Sequence, residues 1–208
     1  MKNFIIPIIV CANLLFFACS KKQGNSPQPT NTVTINAASY STVVIGSQTW
    51  TSVNYNGPGG ENYNNGSNSV IYGKLYTETE AKAIPLPAGW RIPTQNDYTN
   101  FFPAIGATLG ANGVYQFPTN DIFKLMSKTG WLTQEGTDSL GFNAEPAGYL
   151  YNNTFSSLGA EARFLTSTFN LPNGHGNLVT FSVASYSLYF PALPYATDRA
   201  SLRFVKDN

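Results

Sequence analysis

The chain has 208 residues, 42% of them hydrophobic and 14% aromatic, which is enough apolar material for one core. Charged residues make up only 11%, and the formal net charge is +1. No basic run occurs, which excludes nucleic acid as a partner, since phosphate binding needs clustered Lys and Arg. The balance is taken by Gly, Pro, Asn, Ser, Thr and Tyr, a composition that fits a loop-rich extracellular β fold.

In chain order, residues 1–18 join a short basic start to an apolar run from Phe4 to Ala18. That is the pattern of a secretory signal peptide, and about 15 residues is short for a membrane span. The segment FFACS, 16–20, looks like a bacterial lipobox, with Phe16 where Leu is more usual. The resemblance implies cleavage before Cys19 and a diacylglycerol on its sulfur, with palmitate among the attached lipids. Cys11 is the poorer candidate, because bulky Val10 precedes it. The expectation is a membrane-anchored lipoprotein of the bacterial cell envelope, held in the outer membrane and facing the periplasm or the surface. Lys21 and Lys22 leave no acidic export signal after the cysteine. These two cysteines are the only ones, so with Cys19 acylated the domain has no disulfide and no thiolate metal site.

Residues 19–31 read as the lipidated cysteine and a flexible Pro/Ser/Asn-rich tether, and 32–208 as a single domain. Residues 33–56 alternate β-formers with small polar residues, and IGSQTW, 45–50, predicts a hairpin turning at Gly46. Residues 57–70 are Gly- and Asn-rich and predict a loop. Residues 74–84 predict a short helix with Ala81 and Ile84 facing in, ended by Pro85. In PTQNDYTNFFPAI, 93–105, Thr94 is a good N-cap with Asp97 at the N3 position. Tyr98, Phe101 and Phe102 form the apolar stripe of that second helix. Residues 119–131 predict a third, ending at Gly130. Strands and turns follow, so the fold class is α+β rather than alternating βαβ.

The landmarks, taken together, carry a resemblance. They are IGSQTW (45–50), GKLYTETEA (73–81), PAGWRIPTQNDY (87–98), GW (130–131), GTDSLGFNAEPAGY (136–149), ARFLTST (162–168) and SLRFVKD (201–207). In this order they resemble the Fibrobacter succinogenes major paralogous domain, found in exported bacterial proteins and lipoproteins. The resemblance implies a C-type-lectin-like fold, with short helices packed on a twisted antiparallel sheet and long irregular loops. It also implies structural roles for Trp50, Trp90 and Trp131. In that family a cysteine commonly precedes the Pro-Ala-Gly-Trp elbow and another lies in the last strand. Here Leu86 and Phe204 stand at those places. A bridge closing so long a loop is worth about 4–5 kcal/mol. The expectation is that Leu86 and Phe204 are buried in contact and offset part of that loss.

Candidate chemistry is sparse. Asp138, Asn143 and Glu145 form the best oxygen cluster, and Glu145-Pro146 is similar to part of a lectin calcium motif. Ala147 stands where that motif needs an amide, so no metal and no cofactor is expected. The bland alternative has Asp138 capping a turn. His175 is the only histidine, on a Gly- and Asn-rich loop with no partner to orient it. There is no cysteine nucleophile and no Gly-x-Ser-x-Gly elbow. Tyr55, Tyr63 and Tyr151 are the aromatics expected to be free to meet a ligand. The leading expectation is a non-enzymatic recognition or adhesion domain for a glycan or protein, contacting Asp138, Asn143, Glu145, Tyr151 and His175. The alternatives are a polysaccharide-acting or calcium-dependent envelope enzyme, or a purely structural envelope subunit.

Overall fold

A computed structural model describes residues 31–66, 69–111, 115–116, 118, 121–169, 176–182, 187–193 and 195–208. Cys19, residues 20–30 of the tether and His175 lie outside the described residues, whereas Asn31, expected to end the tether, opens the first strand.

The chain enters as a meander. β1 (Asn31–Ile35), β2 (Ala38–Ile45) and β3 (Gln48–Thr51) pair antiparallel in sequence order. Gly46, at φ +62°, turns the β2–β3 hairpin as expected, since that conformation suits glycine. Three short helices come next: α1 (Ser69–Tyr72), α2 (Glu78–Lys82) and α3 (Gln95–Phe101). The second half holds β4 (Thr108–Leu109), β5 (Tyr115–Gln116), β6 (Tyr149–Tyr151), β7 (Thr154–Ser156), β8 (Glu161–Phe169), β9 (Gly176–Ser182), β10 (Ser187–Tyr189) and β11 (Val205–Asp207). β11 returns to pair with β3, giving a sheet in the order β1-β2-β3-β11. A second sheet runs β4-β5-β10-β9-β8, and β6-β7 is a separate hairpin. The class is α+β.

Two helices start where their caps put them. For α3, Thr94 Oγ1 accepts from the Asp97 backbone N–H, and the Asp97 carboxylate accepts from the Thr94 N–H, as the sequence predicts. Thr77 and Glu80 make the same box for α2. That helix is shorter than 74–84, because Leu75 and Tyr76 are drawn into bridges with Glu61 and Ala200. The loop expected over 57–70 is not wholly irregular. It holds a 3-10 turn at Tyr63–Asn65, and α1 begins at Ser69.

Among the described residues of 119–131 the third expected helix is cut down to a 3-10 turn at Asp121–Lys124. The carbonyls that would close an α-helix accept instead from the loop 137–144: Phe123 from Thr137, Lys124 from Leu140, Leu125 from Ala144 and Met126 from Asp138. Long-range bonds replace the local ladder, and the amphipathic pattern serves a docked turn.

The segment 199–207 is the seam of the molecule. Its backbone bonds Leu150 through Arg199, Tyr76 through Ala200, Arg163 and Leu165 through Ser201, Tyr55 through Leu202, Thr51 through Phe204 and Arg91 through Val205. Alternating residues then feed two apolar clusters. Phe164 and Val205 join Trp50, Tyr98, Phe102, Phe142 and Phe181 in one. Leu165 and Phe204 join Tyr40, Tyr55, Tyr76 and Leu202 in the other.

The expected Leu86–Phe204 pair is met only in part. Phe204 is fully buried, but Leu86 is half-buried and packs on the rim of the same cluster. Trp90 is likewise half-buried there, rather than a plug. The Trp90 N–H donates to the Pro87 carbonyl at 3.0 Å, closing a turn over 87–90. That turn keeps the elbow at the surface, where a bulky side chain covers the core from outside. Trp50 and Trp131 are buried in the first cluster, and the Trp131 indole N–H donates to Ser127 Oγ at 3.0 Å.

Candidate functional site

Polar chemistry concentrates in three places. The first surrounds Arg203, which is fully buried. Its Nε donates to Asn54 Oδ1 at 2.7 Å, Nη1 to the carbonyls of Thr51 and Phe142 at 2.9 Å each, and Nη2 to the Asn143 carbonyl at 2.7 Å. The guanidinium also lies 5.1 Å from the Phe142 ring and 5.4 Å from that of Phe164. Burial pushes its pKa down to about 10, against the pull of Glu145, Tyr98 and Asp138, so it stays charged at neutral pH.

Asp138, Asn143 and Glu145 are brought together beside it. The Asn143 backbone N–H donates to Asp138 Oδ1 at 2.7 Å, and its side-chain amide donates to Glu145 Oε1 at 3.2 Å. Asp138 and Asn143 both hold left-handed backbone, at φ +47° and +51°, which Asn and Asp tolerate best. Burial raises the pKa of both carboxyls, although Arg203 and the Asn143 donors oppose it. The cluster thus sits beside a protein cation, and Asp138 caps a turn. Among the described residues no group of three or more His, Cys, Asp or Glu could hold a metal ion.

The second place is a clasp at the elbow. Arg91 reaches Asp97 Oδ1 at 2.9 Å through Nη2 and Asp97 Oδ2 at 2.5 Å through Nη1. It also reaches Asp207 at 3.1 Å, and Gln48 donates to both carboxylates at 2.6 and 2.8 Å. Burial alone would raise Asp97, but the donors from Arg91, Thr94 and Gln48 win and hold it at about 2. Three separated stretches, at 48, 91–97 and 207, are thereby joined, which makes the clasp architectural.

The third place faces outward. β6 and β7 turn through Asn152 and Asn153, both at positive φ (+44° and +59°), the conformation of a two-residue hairpin turn. Buried Asp198 accepts from the Asn152 N–H at 2.9 Å and the Tyr195 N–H at 3.2 Å. One carboxylate therefore fixes the hairpin and the 195–198 turn together. The result is an edge-on pair, Tyr151 and Tyr195, with ring centres 5.6 Å apart and each residue 45% exposed. Beside it opens a cavity of about 230 Å³ lined by Tyr149, Tyr151, Arg163, Leu193 and Asp198. The Arg163 guanidinium stacks 3.4 Å over Tyr149 and pairs with Glu161 at 2.8 Å.

Of the residues expected to bind a ligand, Asp138, Asn143 and Glu145 meet one another, while Tyr151 meets Tyr195 elsewhere. Tyr55 is corrected: it is buried among Tyr40, Tyr76 and Phe204, with Asn36 donating to its hydroxyl. Tyr63 packs against Phe155. The sequence reading missed Arg203, Asp198 and Tyr195. The Asn-Asn pair at 152–153 was an available sign of the hairpin that presents Tyr151.

Comparison with known proteins adds one finding. The family model described as Fibrobacter succinogenes major domain matches residues 43–206. No curated protein and no solved structure matches the chain.

Proposed function

The chain belongs to the Fibrobacter succinogenes major domain family, and on that premise we propose that it is a lipid-anchored recognition module of the bacterial cell envelope. In this reading Cys19 carries the lipid, residues 20–30 act as the tether, and a C-type-lectin-like domain displays the binding surface without catalysing a reaction. The lipobox-like FFACS segment supports the anchor.

The observation that carries the recognition reading is the Tyr151–Tyr195 pair beside the Arg163 cavity. Two large rings held half in water by a buried carboxylate cost area that a purely structural surface would cover. Aromatic faces flanked by tyrosine hydroxyls and the Arg163 guanidinium suit a saccharide. The rings stack on its C–H face, and the polar groups meet its hydroxyls. The cavity is smaller than the roughly 300–1,000 Å³ of clefts that enclose drug-sized ligands, so it fits one ring of a longer glycan.

The test is a glycan array probed with the wild-type chain and with Tyr151→Ala/Tyr195→Ala. Retention of a defined glycan set by the wild type and its loss in the variant is the expected result. No glycan retained by the wild type overturns the saccharide reading. A protein captured in a Tyr151-dependent manner assigns the same groove to a polypeptide instead. Protease shaving of intact cells decides which face of the membrane displays the domain.

A further inference from the structure

A second cavity, about 200 Å³, lies away from the tyrosine pair. It is walled by Ser39 and Tyr40 of β2, Asn54 and Asn56 of the segment after β3, Ile71 of α1, and Glu145. We propose that this cavity binds a primary ammonium group on an alkyl stem, with Glu145 as its counter-ion.

Glu145 is half-buried, and within 4 Å it makes no ion pair among the described residues. Among the described residues the Asn143 side-chain amide donates to its Oε1, and the Asn54 backbone favours its charged form, whereas a carboxylate has room for about four donors. Arg203 is near but does not serve it. That guanidinium directs its hydrogen bonds to Asn54 Oδ1 and to the carbonyls of Thr51, Phe142 and Asn143. Asp138 draws on the same positive charge. Two carboxyls therefore share one guanidinium that neither touches. A carboxylate taken from water without a paired donor is costly, and a ligand bringing charge and N–H groups relieves that cost.

The walls decide which cation. A calcium ion needs six to eight oxygen ligands. Here Asn54 Oδ1 is committed to Arg203, and Asn56 Oδ1 accepts from the Tyr40 hydroxyl at 3.0 Å. Among the described residues no group of three His, Cys, Asp or Glu could hold a metal ion there. An ammonium needs only three acceptors, and Glu145 supplies the charged one. Val53 and Ile71, the latter 62% exposed, give an alkyl stem an apolar wall at the mouth. The chemistry fits a lysine side chain or a free alkylamine equally.

The test is a two-dimensional amide NMR titration of the full chain in detergent micelles. The probes are n-butylammonium chloride and Nα-acetyl-lysine amide, with n-butanol as the uncharged control. Both ammonium probes are expected to shift the amides of Ser39, Asn54, Asn56 and Gly73 saturably, and butanol is not. Glu145→Gln is expected to weaken binding about tenfold or more. If that variant fails to fold, Ile71→Trp, on the exposed rim, is expected to block the mouth and abolish the shifts. A stronger response to the lysine probe identifies a polypeptide side chain as the source, and an equal response identifies a small amine. No saturable shift, or shifts that survive Glu145→Gln, overturns the proposal. Tyr151→Ala/Tyr195→Ala leaves this binding unchanged, so the two sites fail separately.

Discussion

The neighbourhood of Arg203 and the Tyr151–Tyr195 groove differ in one respect above all: which way their polar groups face. Around Arg203 the donors and acceptors turn inward and are spent on one another. At the groove a buried carboxylate, Asp198, is spent on backbone N–H groups so that two rings can stay in water. Residue type alone ranks the first region as the binding site, since it holds the acids. Orientation reverses that ranking, and Glu145 at its edge faces a cavity.

The contrast is broken most directly at Arg203. Arg203→Met leaves Asn54 and three carbonyls without their donor, and about 3–5 kcal/mol of stability is expected to be lost. Urea unfolding followed by circular dichroism measures it. A loss below about 1 kcal/mol would show that the inward region is not the structural hub described.

Asp97→Asn comes next, at about 2 kcal/mol near neutral pH, because it weakens the Arg91 pair and the cap of α3. The pH dependence has a definite sign. Asp97 is held at about 2 against an ordinary 3.8, so its contribution is full above the ordinary value. It is lost as pH falls through about 2. Unfolding midpoints for the wild type and the variant should therefore converge as pH falls from 3.8 to about 2.

Leu86→Ala is expected to cost about 1 kcal/mol, since a half-buried leucine gives up only part of its transfer energy. A larger loss would restore Leu86 as a principal fastening of the elbow, a role the structure gives to Arg91, Asp97 and Asp207. Tyr151→Ala/Tyr195→Ala is the smallest, within about 0.5 kcal/mol per residue, with ligand binding lost. A groove variant that unfolds would erase the distinction between the two regions.

Some of this could be read in the chain. Thr94 with Asp97 announced α3, and Gly46 announced the β2–β3 hairpin, because caps and turns are decided by a few adjacent residues. The grouping of Asp138, Asn143 and Glu145 was visible for the same reason. Residues 119–131 carried a helical pattern that long-range bonds overrode. Tyr55 and Tyr151 both sat in polar, irregular sequence, yet one is core and the other surface.

What the sequence determined by itself is local or cumulative: the family, the α+β class and the capped start of α3. Each rests on neighbouring residues or on order along the chain. Tertiary structure alone decided where the charges point. Asp198 meets Asn152, Arg203 meets Asn54, and Arg91 meets Asp207 across wide gaps in sequence. No local pattern records such pairs, because their energy exists only once the seam at 199–207 has drawn the two sheets together.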